Sequence, residues 1–421
     1  LHKPTPATAD FQPGRAWATA LLLFVFIIVN FADKVVLGLV AVPMMEDLKI
    51  TPTQFGLIGS SFFWLFAVTG IAGGVLADRV ATRWLLLGMA LAWSLMQLPM
   101  IFGSTVFAFV AARVLLGMGE GPAWPVALHA VYKWFPDRKR NLPVALLSQG
   151  GALGLLIAGV TIPLFTVRHG WRAAFIGLAA IGLLWALAWL LLGREGPLLP
   201  QQDKPTDTGR KVPLAEVLRD PTVLGNFVMH FVAYWAMAGA LTWLPAYFQK
   251  GLGFDGVQSG RLYGLVVAVT IPLVVIASGW SQALLVRGYS SRAARGRFAA
   301  LSLLLAGLIF LPLSLPGLSV AVRMAIFAFG LGLGPIIYAL GPAMLAQVAP
   351  PSRRGAVLAI DNSVASFAGI LAPFVSGELI ARYPGSYGFE LGFMLTGVLL
   401  LIGAVIGWAT VNPERSSERL S

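Results

Sequence analysis

An all-α membrane protein, with twelve spanning helices in two six-helix halves, is the fold class this sequence predicts, and three observations carry the prediction. The chain has 421 residues, 57% hydrophobic and only 11% charged, whereas a soluble domain carries roughly 25% charged residues. Twelve apolar runs of about the 20 residues needed to cross a bilayer are separated by short polar, charged or Gly/Pro-rich breaks. Continuous β-alternation is absent, and a backbone in lipid must satisfy its own hydrogen bonds, so the runs read as helices.

The first run, 17–42, is too long for a signal-peptide core and lacks a small-residue cleavage site. It reads as a retained helix of a chain whose numbering, starting at Leu1, is that of a processed or trimmed protein. Runs 53–77, 83–103, 105–132, 140–166 and 172–193 complete the first half. The longest polar break, "REGPLLPQQDKPTDTGRKVPLAEVLRD", follows, rich in Pro and charge. Runs 222–249, 257–286, 297–315, 318–348, 354–382 and 388–411 form the second half. The expected organisation is an N-terminal segment 1–16, a half 17–193, a linker 194–221, a half 222–411 and a tail 412–421. The 47 glycines suit close helix approach in lipid, where hydrophobicity cannot drive association. Gly70/Gly74, Gly117/Gly121, Gly150/Gly154 and Gly330/Gly334 have the small-xxx-small spacing of packing seams.

Charge placement gives topology. Of the 30 lysines and arginines, 21 fall on the side of the termini and the even-numbered loops. The positive-inside rule makes that side cytoplasmic, so the net charge of +12 is topological and no nucleic-acid partner is expected. The absence of cysteine excludes disulfides and thiol chemistry. The glycine-rich "GLGLGP" (330–335) lacks a following Lys-Ser/Thr, and neither a metal-ligand cluster nor a Ser/His/Asp arrangement is present. The protein therefore reads as neither an ATPase nor an enzyme. No cofactor is expected, and an ion gradient is the energy source.

Four ionisable residues lie within spans of the amino-terminal half: Asp33, Lys34, Arg113 and Glu120. A charge at the bilayer centre costs at least about 2.5–3.5 kcal/mol, which makes each a functional candidate. Arg113 and Glu120 are seven residues apart and share one helix face. Asp33 and Lys34 are adjacent, so one can face the fourth helix while the other faces a cavity. Two cations suit an anion, and two acids held between burial and neighbouring cations suit proton binding. A static pair of Asp33 with Lys34 or Arg113 is the alternative. Pro122 and Pro125 would break the fourth helix beside Glu120, freeing the carbonyls of Met118 and Gly121.

Two stretches echo each other, "GGVLADRVATR" (73–83) and "SGWSQALLVRG" (278–288), as expected of parallel six-helix halves with a site near midplane. The first resembles the loop motif of the major facilitator superfamily, with Ala81 where a glycine is usual. "NFADK" (30–34), "RVLLGMGEGPAWP" (113–125), "GWRAAF" (170–175), "WLPAY" (243–247) and "RRGAVLAIDNSVASFAGILAP" (353–373) together resemble the anion/cation symporter family. The resemblance spans almost the whole chain and implies proton-coupled import of an organic anion across a bacterial inner membrane. It assigns proton carriage to Asp33 and Glu120 and anion contact to Lys34 and Arg113. Lys34 stands where Arg is common, and Phe66 where a substrate-contacting tyrosine often sits. Both departures reduce hydrogen-bonding capacity and point to a smaller, more apolar or aromatic carboxylate than a sugar acid.

Weaker candidates are Gln149, read equally as a substrate contact or a helix–helix bond, and Asn362, expected to face the cavity. Asp361 is expected to pair with Arg353 or Arg354, or to line a gate. His230 and Tyr234 could add a titrating group and a hydroxyl, with a plain hydrogen bond the commoner role for such a histidine; Tyr263 and Tyr338 could line the cavity. Asp78, Arg79 and Arg83 read as a cytoplasmic gate latch. The expected partners are a small organic anion and the lipid bilayer, with the chain a monomer. The rivals are antiport of organic phosphates or drugs, and a transporter-shaped receptor.

Overall fold

The computed structural model describes residues 12–77, 79–136, 139–198, 212–351 and 353–420. Twelve helices among them are long and apolar enough to span a bilayer. They are α1 Pro13–Leu39, α2 Pro52–Gly73, α3 Thr82–Phe102, α4 Val106–Trp134, α5 Leu142–His169 and α6 Trp171–Leu192, then α7 Pro221–Gly251, α8 Gly256–Val286, α9 Arg292–Ser314, α10 Val320–Val348, α11 Arg354–Arg382 and α12 Tyr387–Thr410. The chain is a multi-pass membrane protein. Its helix starts carry the expected caps: α2 and α8 each open on a reciprocal capping box, Thr51 with Gln54 and Asp255 with Gln258. Pro13 extends α1 four residues before the expected boundary, at a position where its missing N–H costs nothing. The middle of the linker, 199–211, lies outside the described residues. The expected tail is in part a helix, Pro413–Leu420, pinned to the start of α7 by Thr222–Ser416 (2.7 Å) and Arg419–Asp220 (2.5 Å).

Three spans are broken at mid-depth. α4 parts at Gly121–Pro122 into Val106–Glu120 and Ala123–Trp134, as its first proline predicts, whereas Pro125 sits in the first turn of the second piece and breaks nothing. α10 parts at the same dipeptide, Gly334–Pro335. The hexapeptides "GMGEGP" (117–122) and "GLGLGP" (330–335) are thus one internal repeat, in which Leu333 stands opposite Glu120. α2 parts at Phe62–Leu65, after Ser60 and Ser61 turn their hydroxyls back onto the carbonyls of Leu57 and Ile58.

The glycines explain how close these helices come. A Cβ at Gly117 would lie 1.7 Å from the carbonyl oxygen of Phe62, and one at Gly121 2.2 Å from that of Phe66, so α4 lies directly on the broken segment of α2. Gly154 meets the backbone of Ile28 on α1 in the same way. Gly334 departs from the expected seam: it has no neighbour within 4 Å and serves the helix break instead. Gly117→Ala is expected to cost well over the ~1–3 kcal/mol typical of core overpacking, because backbone rather than a side chain must move. Loss of monodisperse protein in detergent is the expected readout; an unchanged melting temperature would contradict the packing.

Close approaches seal the two halves at the end away from the termini. Gly38 of α1 meets the carbonyl of Leu241 on α7, Gly56 of α2 that of Pro373 on α11, and Gly159 of α5 lies against Gly260 of α8. An ion pair between Lys250 and Glu46 crosses the same end. Both residues are exposed, so it contributes no more than about 1 kcal/mol.

At the terminal end each half is braced within itself. Glu195, just after α6, accepts from the backbone N–H groups of Thr82 (3.2 Å) and Arg83 (3.0 Å) and from Lys133 Nζ (2.5 Å). Glu414, after α12, likewise caps Ser291 and Arg292 at the start of α9. Partial burial opposes ionisation of Glu195, but the Lys133, Arg83 and Thr82 hydrogen bonds outweigh it and hold the carboxyl below its usual value of 4.5. A depressed folded-state value means stability present above the unfolded value and lost as pH falls through the folded one. Acidification below about pH 4.5 is therefore expected to lower the melting temperature of the wild type more than that of Glu195→Gln. Equal acid slopes would dismiss this brace.

Candidate functional site

The buried charges of the amino-terminal half meet between α1 and α4, beside the broken part of α2. Lys34 Nζ is 3.2 Å from Glu120 Oε2 and also bonds Asn30 Oδ1. Asn30 Nδ2 donates to the same Glu120 oxygen at 2.9 Å, one helical turn from Lys34. Asp33 points elsewhere, accepting from Gln97 Nε2 of α3 at 3.0 Å. Among the described residues, Arg113 hydrogen-bonds only the backbone carbonyl of Asp33, at 3.4 Å. Asp33, Arg113 and Glu120 are each at most 3% exposed. Asp33 Oδ2, Glu120 Oε1, Arg113 Nε and Gln97 Oε1 lack a hydrogen-bond partner among the described residues. Such a cluster has capacity for a further polar ligand or proton.

Aromatic rings close the space around the cations. Phe31, Phe62 and Phe66 lie 4.6, 6.0 and 5.6 Å from Lys34 Nζ, and the Arg113 guanidinium sits 4.7 Å over Phe62. Phe66 therefore belongs to the cluster, as a ring facing a cation. Of the two neighbours it is Lys34 that faces the fourth helix, and the alternative of a static pair does not hold, since neither Lys34 nor Arg113 is paired with the Asp33 carboxylate. Asn30 and Gln97 were missed. Asn30 opens "NFADK" and lies one turn before Lys34; Gln97 is a lone amide in an apolar run, two residues before Pro99.

The carboxyl-terminal half also holds buried charges, against the expectation of four confined to the first half. Asp361 does not pair with Arg353 or Arg354. It bonds His230 Nδ1 (2.7 Å) and Asn226 Nδ2 (3.0 Å) on α7, because its side chain points inward, two turns along α11. Arg323 lies in the first turn of α10 and pairs with Glu390 of α12 (2.5 Å) and Tyr247 Oη (2.6 Å). Tyr234 stacks edge-on to Phe63 of α2, and Tyr338 packs 5.2 Å from the His230 ring. Tyr263 is buried at the α5–α8 contact beside Gly159, at the sealed end.

Gln149 on α5 and Asn362 on α11 are both exposed, in the terminal-side portions of their helices, and Gln149 makes no described helix–helix bond. Asp78 lies outside the described residues and Arg79 is exposed. Arg83 donates to the carbonyl of Leu190 (3.0 Å), which ties α3 to α6 within one half rather than latching the two halves together.

With this architecture in place, comparison with known proteins decides the family. The family model described as Major Facilitator Superfamily matches residues 22–340 and 288–421. The chain belongs to the Major Facilitator Superfamily. This superfamily member is a transporter, not an enzyme. Among curated relatives it is 27% identical to the hexuronate transporter of Bacillus subtilis (strain 168), over 93% of this chain and 94% of that one. It is also 27% identical to the sodium-dependent phosphate transport protein 1, chloroplastic, of Arabidopsis thaliana, over 93% of this chain and 78% of that one. Its fold is similar to the solved structure of a bacterial homologue of the human lysosomal transporter Spinster in an inward-facing, unoccupied conformation. There the TM-score is 0.80 at 18% identity, covering 97% of this chain and 98% of that one.

Proposed function

We propose that this protein imports an organic carboxylate together with protons across a bacterial inner membrane, by alternating access, with both termini cytoplasmic. The observation that carries the reading is the Lys34–Glu120 pair, 3.2 Å apart and buried among rings, with Arg113 nearby and without a carboxylate partner of its own. While Glu120 is ionised, Lys34 is occupied. Protonating Glu120 removes its charge and frees Lys34 to hold the substrate anion beside Arg113, so a proton binds first and the anion second. Asp33, held by Gln97 behind the same cluster, is the second proton carrier. Proton symport also offsets the membrane potential, which opposes entry of an anion by about 2.3 kcal/mol per 100 mV per charge.

Support for an anionic substrate comes from the relative named for hexuronate and from two buried cations facing one space. The rings Phe31, Phe62 and Phe66 favour a small apolar or aromatic carboxylate over a polyhydroxylated acid. Exposure of Gln149 and Asn362 on the terminal side fits a path reached from the cytoplasm, and we take both as substrate contacts in the loaded state. The relative named for sodium and phosphate marks the main rival. The described basic side chains inside the second half argue against phosphate exchange, since Arg323 and His230 are each held by a carboxylate of their own half.

Uptake into proteoliposomes across a panel of carboxylates, with imposed proton or sodium gradients, tests this. Concentrative uptake of an aromatic or short-chain carboxylate driven by the proton gradient alone is expected. Uptake unchanged when that gradient is collapsed would overturn proton coupling, and equal uptake of galactonate with failure of aromatic acids would overturn the substrate class.

A further inference from the structure

We propose that His230, aimed by Asp361 and Asn226, is a proton-binding site in the carboxyl-terminal half, separate from Asp33 and Glu120. The geometry separates the two ring nitrogens by role. Nδ1 lies 2.7 Å from Asp361 Oδ2, and an ionised carboxylate can only accept, so Nδ1 carries hydrogen. Nε2 is left as the acceptor. No described hydrogen bond engages it, and the side chain keeps 11% of its surface exposed, so a proton can reach it. A proton added at Nε2 leaves the bond to Asp361 intact and turns a neutral donor–carboxylate contact into an ion pair. An imidazole oriented by a carboxylate through one nitrogen is the arrangement by which histidine accepts protons at the other.

The surroundings fit a site that gains charge. Asp361 is 2% exposed, and its other oxygen is fixed by Asn226 at 3.0 Å, so the carboxylate is held ready for a cation rather than solvated. Tyr338 Oη and Asn226 Oδ1 are buried beside it without partners among the described residues, which leaves polar capacity unused. Every element packed on the ring contributes: α11 brings Asp361, α10 brings Tyr338 at 5.2 Å, and α7 itself brings Tyr234 at 6.4 Å. Arg353, at the start of α11, is turned away and bonds the carbonyl of Val212. Arg354 begins α11 two turns before Asp361, in an exposed position.

The site also has a physical route to the first half. Tyr234, one turn from His230, meets Phe63 of α2 at 5.8 Å, and Phe63 touches Phe62 and Phe66, the rings that face Lys34 and Arg113. Charging His230 therefore acts on a ring stack that spans the contact between halves. This inference goes beyond the proposed symport and does not require it, since the proton is bound by the carboxyl-terminal half itself.

The test is an imidazole NMR titration of the reconstituted full-length protein. The chain has four histidines, so replacing His2, His129 and His169 leaves one signal without touching the site. The expected result is a ring that gains its second proton at Nε2 on acidification, with Nδ1 protonated throughout, and that loses this fixed Nδ1–H tautomer in Asp361→Asn. A ring that gains no proton on acidification, or a tautomer unchanged in Asp361→Asn, would overturn the proposal. If the protein also proves to be a proton symporter, the proton-to-substrate ratio from reversal potentials is expected to fall by one in His230→Gln; an unchanged ratio would overturn its use in transport. Failure of proton symport would show in the wild-type flux and leave the titration readable.

Discussion

Glu120→Gln is expected to retain exchange of labelled substrate across the membrane while losing pH-driven accumulation. The amide keeps a carbonyl oxygen for Asn30 Nδ2 and Lys34 Nζ, which lie 2.9 and 3.2 Å from the present carboxylate oxygen, so the site keeps its shape. What disappears is the charge that a proton removes. Lys34 is then permanently available to an anion, as it would be in the protonated wild type, and loaded carriers can still cross in both directions. Each coupled proton moving down a gradient of one pH unit supplies about 1.4 kcal/mol, a tenfold concentration ratio. With a two-unit gradient the variant is expected to fall short by a factor of about 100 for one proton. Counterflow and accumulation measured on the same vesicles separate the outcomes. Loss of both would assign Glu120 a structural role, and retention of both would remove it from coupling.

Lys34→Ala carries the second large effect, and on stability rather than on flux. Glu120 is 1% exposed and would keep only Asn30 as a described partner, leaving an uncompensated carboxylate inside the bundle. Breaking a buried pair on one side costs about 3–5 kcal/mol. A melting temperature in detergent well below that of the wild type is therefore expected near neutral pH, recovering on acidification as Glu120 takes up a proton. The double variant Lys34→Ala/Glu120→Gln is expected to regain most of the lost stability, because the carboxylate that lost its partner is gone too, and still to take up no anion. Lys34→Ala as stable as the wild type would show that the pair is not the organising contact of the site. Uptake by the double variant would remove Lys34 from substrate binding.

Much of this molecule was legible in one dimension because lipid imposes a one-dimensional rule. A span must be long, apolar and helical, so the breaks between runs mark the helix ends to within a few residues, and α11 appears at 354–382 as read. The charges inside the runs were equally visible, since Asp33, Lys34, Arg113 and Glu120 interrupt apolar sequence. Their partners were not. Whether Lys34 meets Asp33 beside it or Glu120 on another helix depends on side-chain direction across an interface, which spacing along one helix does not contain. Gln97 shows the same limit: it is the hydrogen-bond donor to Asp33 from 64 residues away. Asp361 was misread because proximity along the chain favoured Arg353 and Arg354, whereas inward orientation on α11 gives it to His230 and Asn226.

By itself, then, the sequence determined the solvent, the number of spans, the division into six and six, and which residues pay to be buried. These follow from transfer free energies and backbone hydrogen bonding, both of which are local to a segment. Only the tertiary structure decided who bonds whom: Lys34 with Glu120, Gln97 with Asp33, His230 with Asp361, Arg323 with Glu390. Those choices are set by helix approach, and helix approach here is set by positions such as Gly117 and Gly38, where only a hydrogen fits against the facing carbonyl. Contacts between distant segments select the partner, and the partner selects the chemistry.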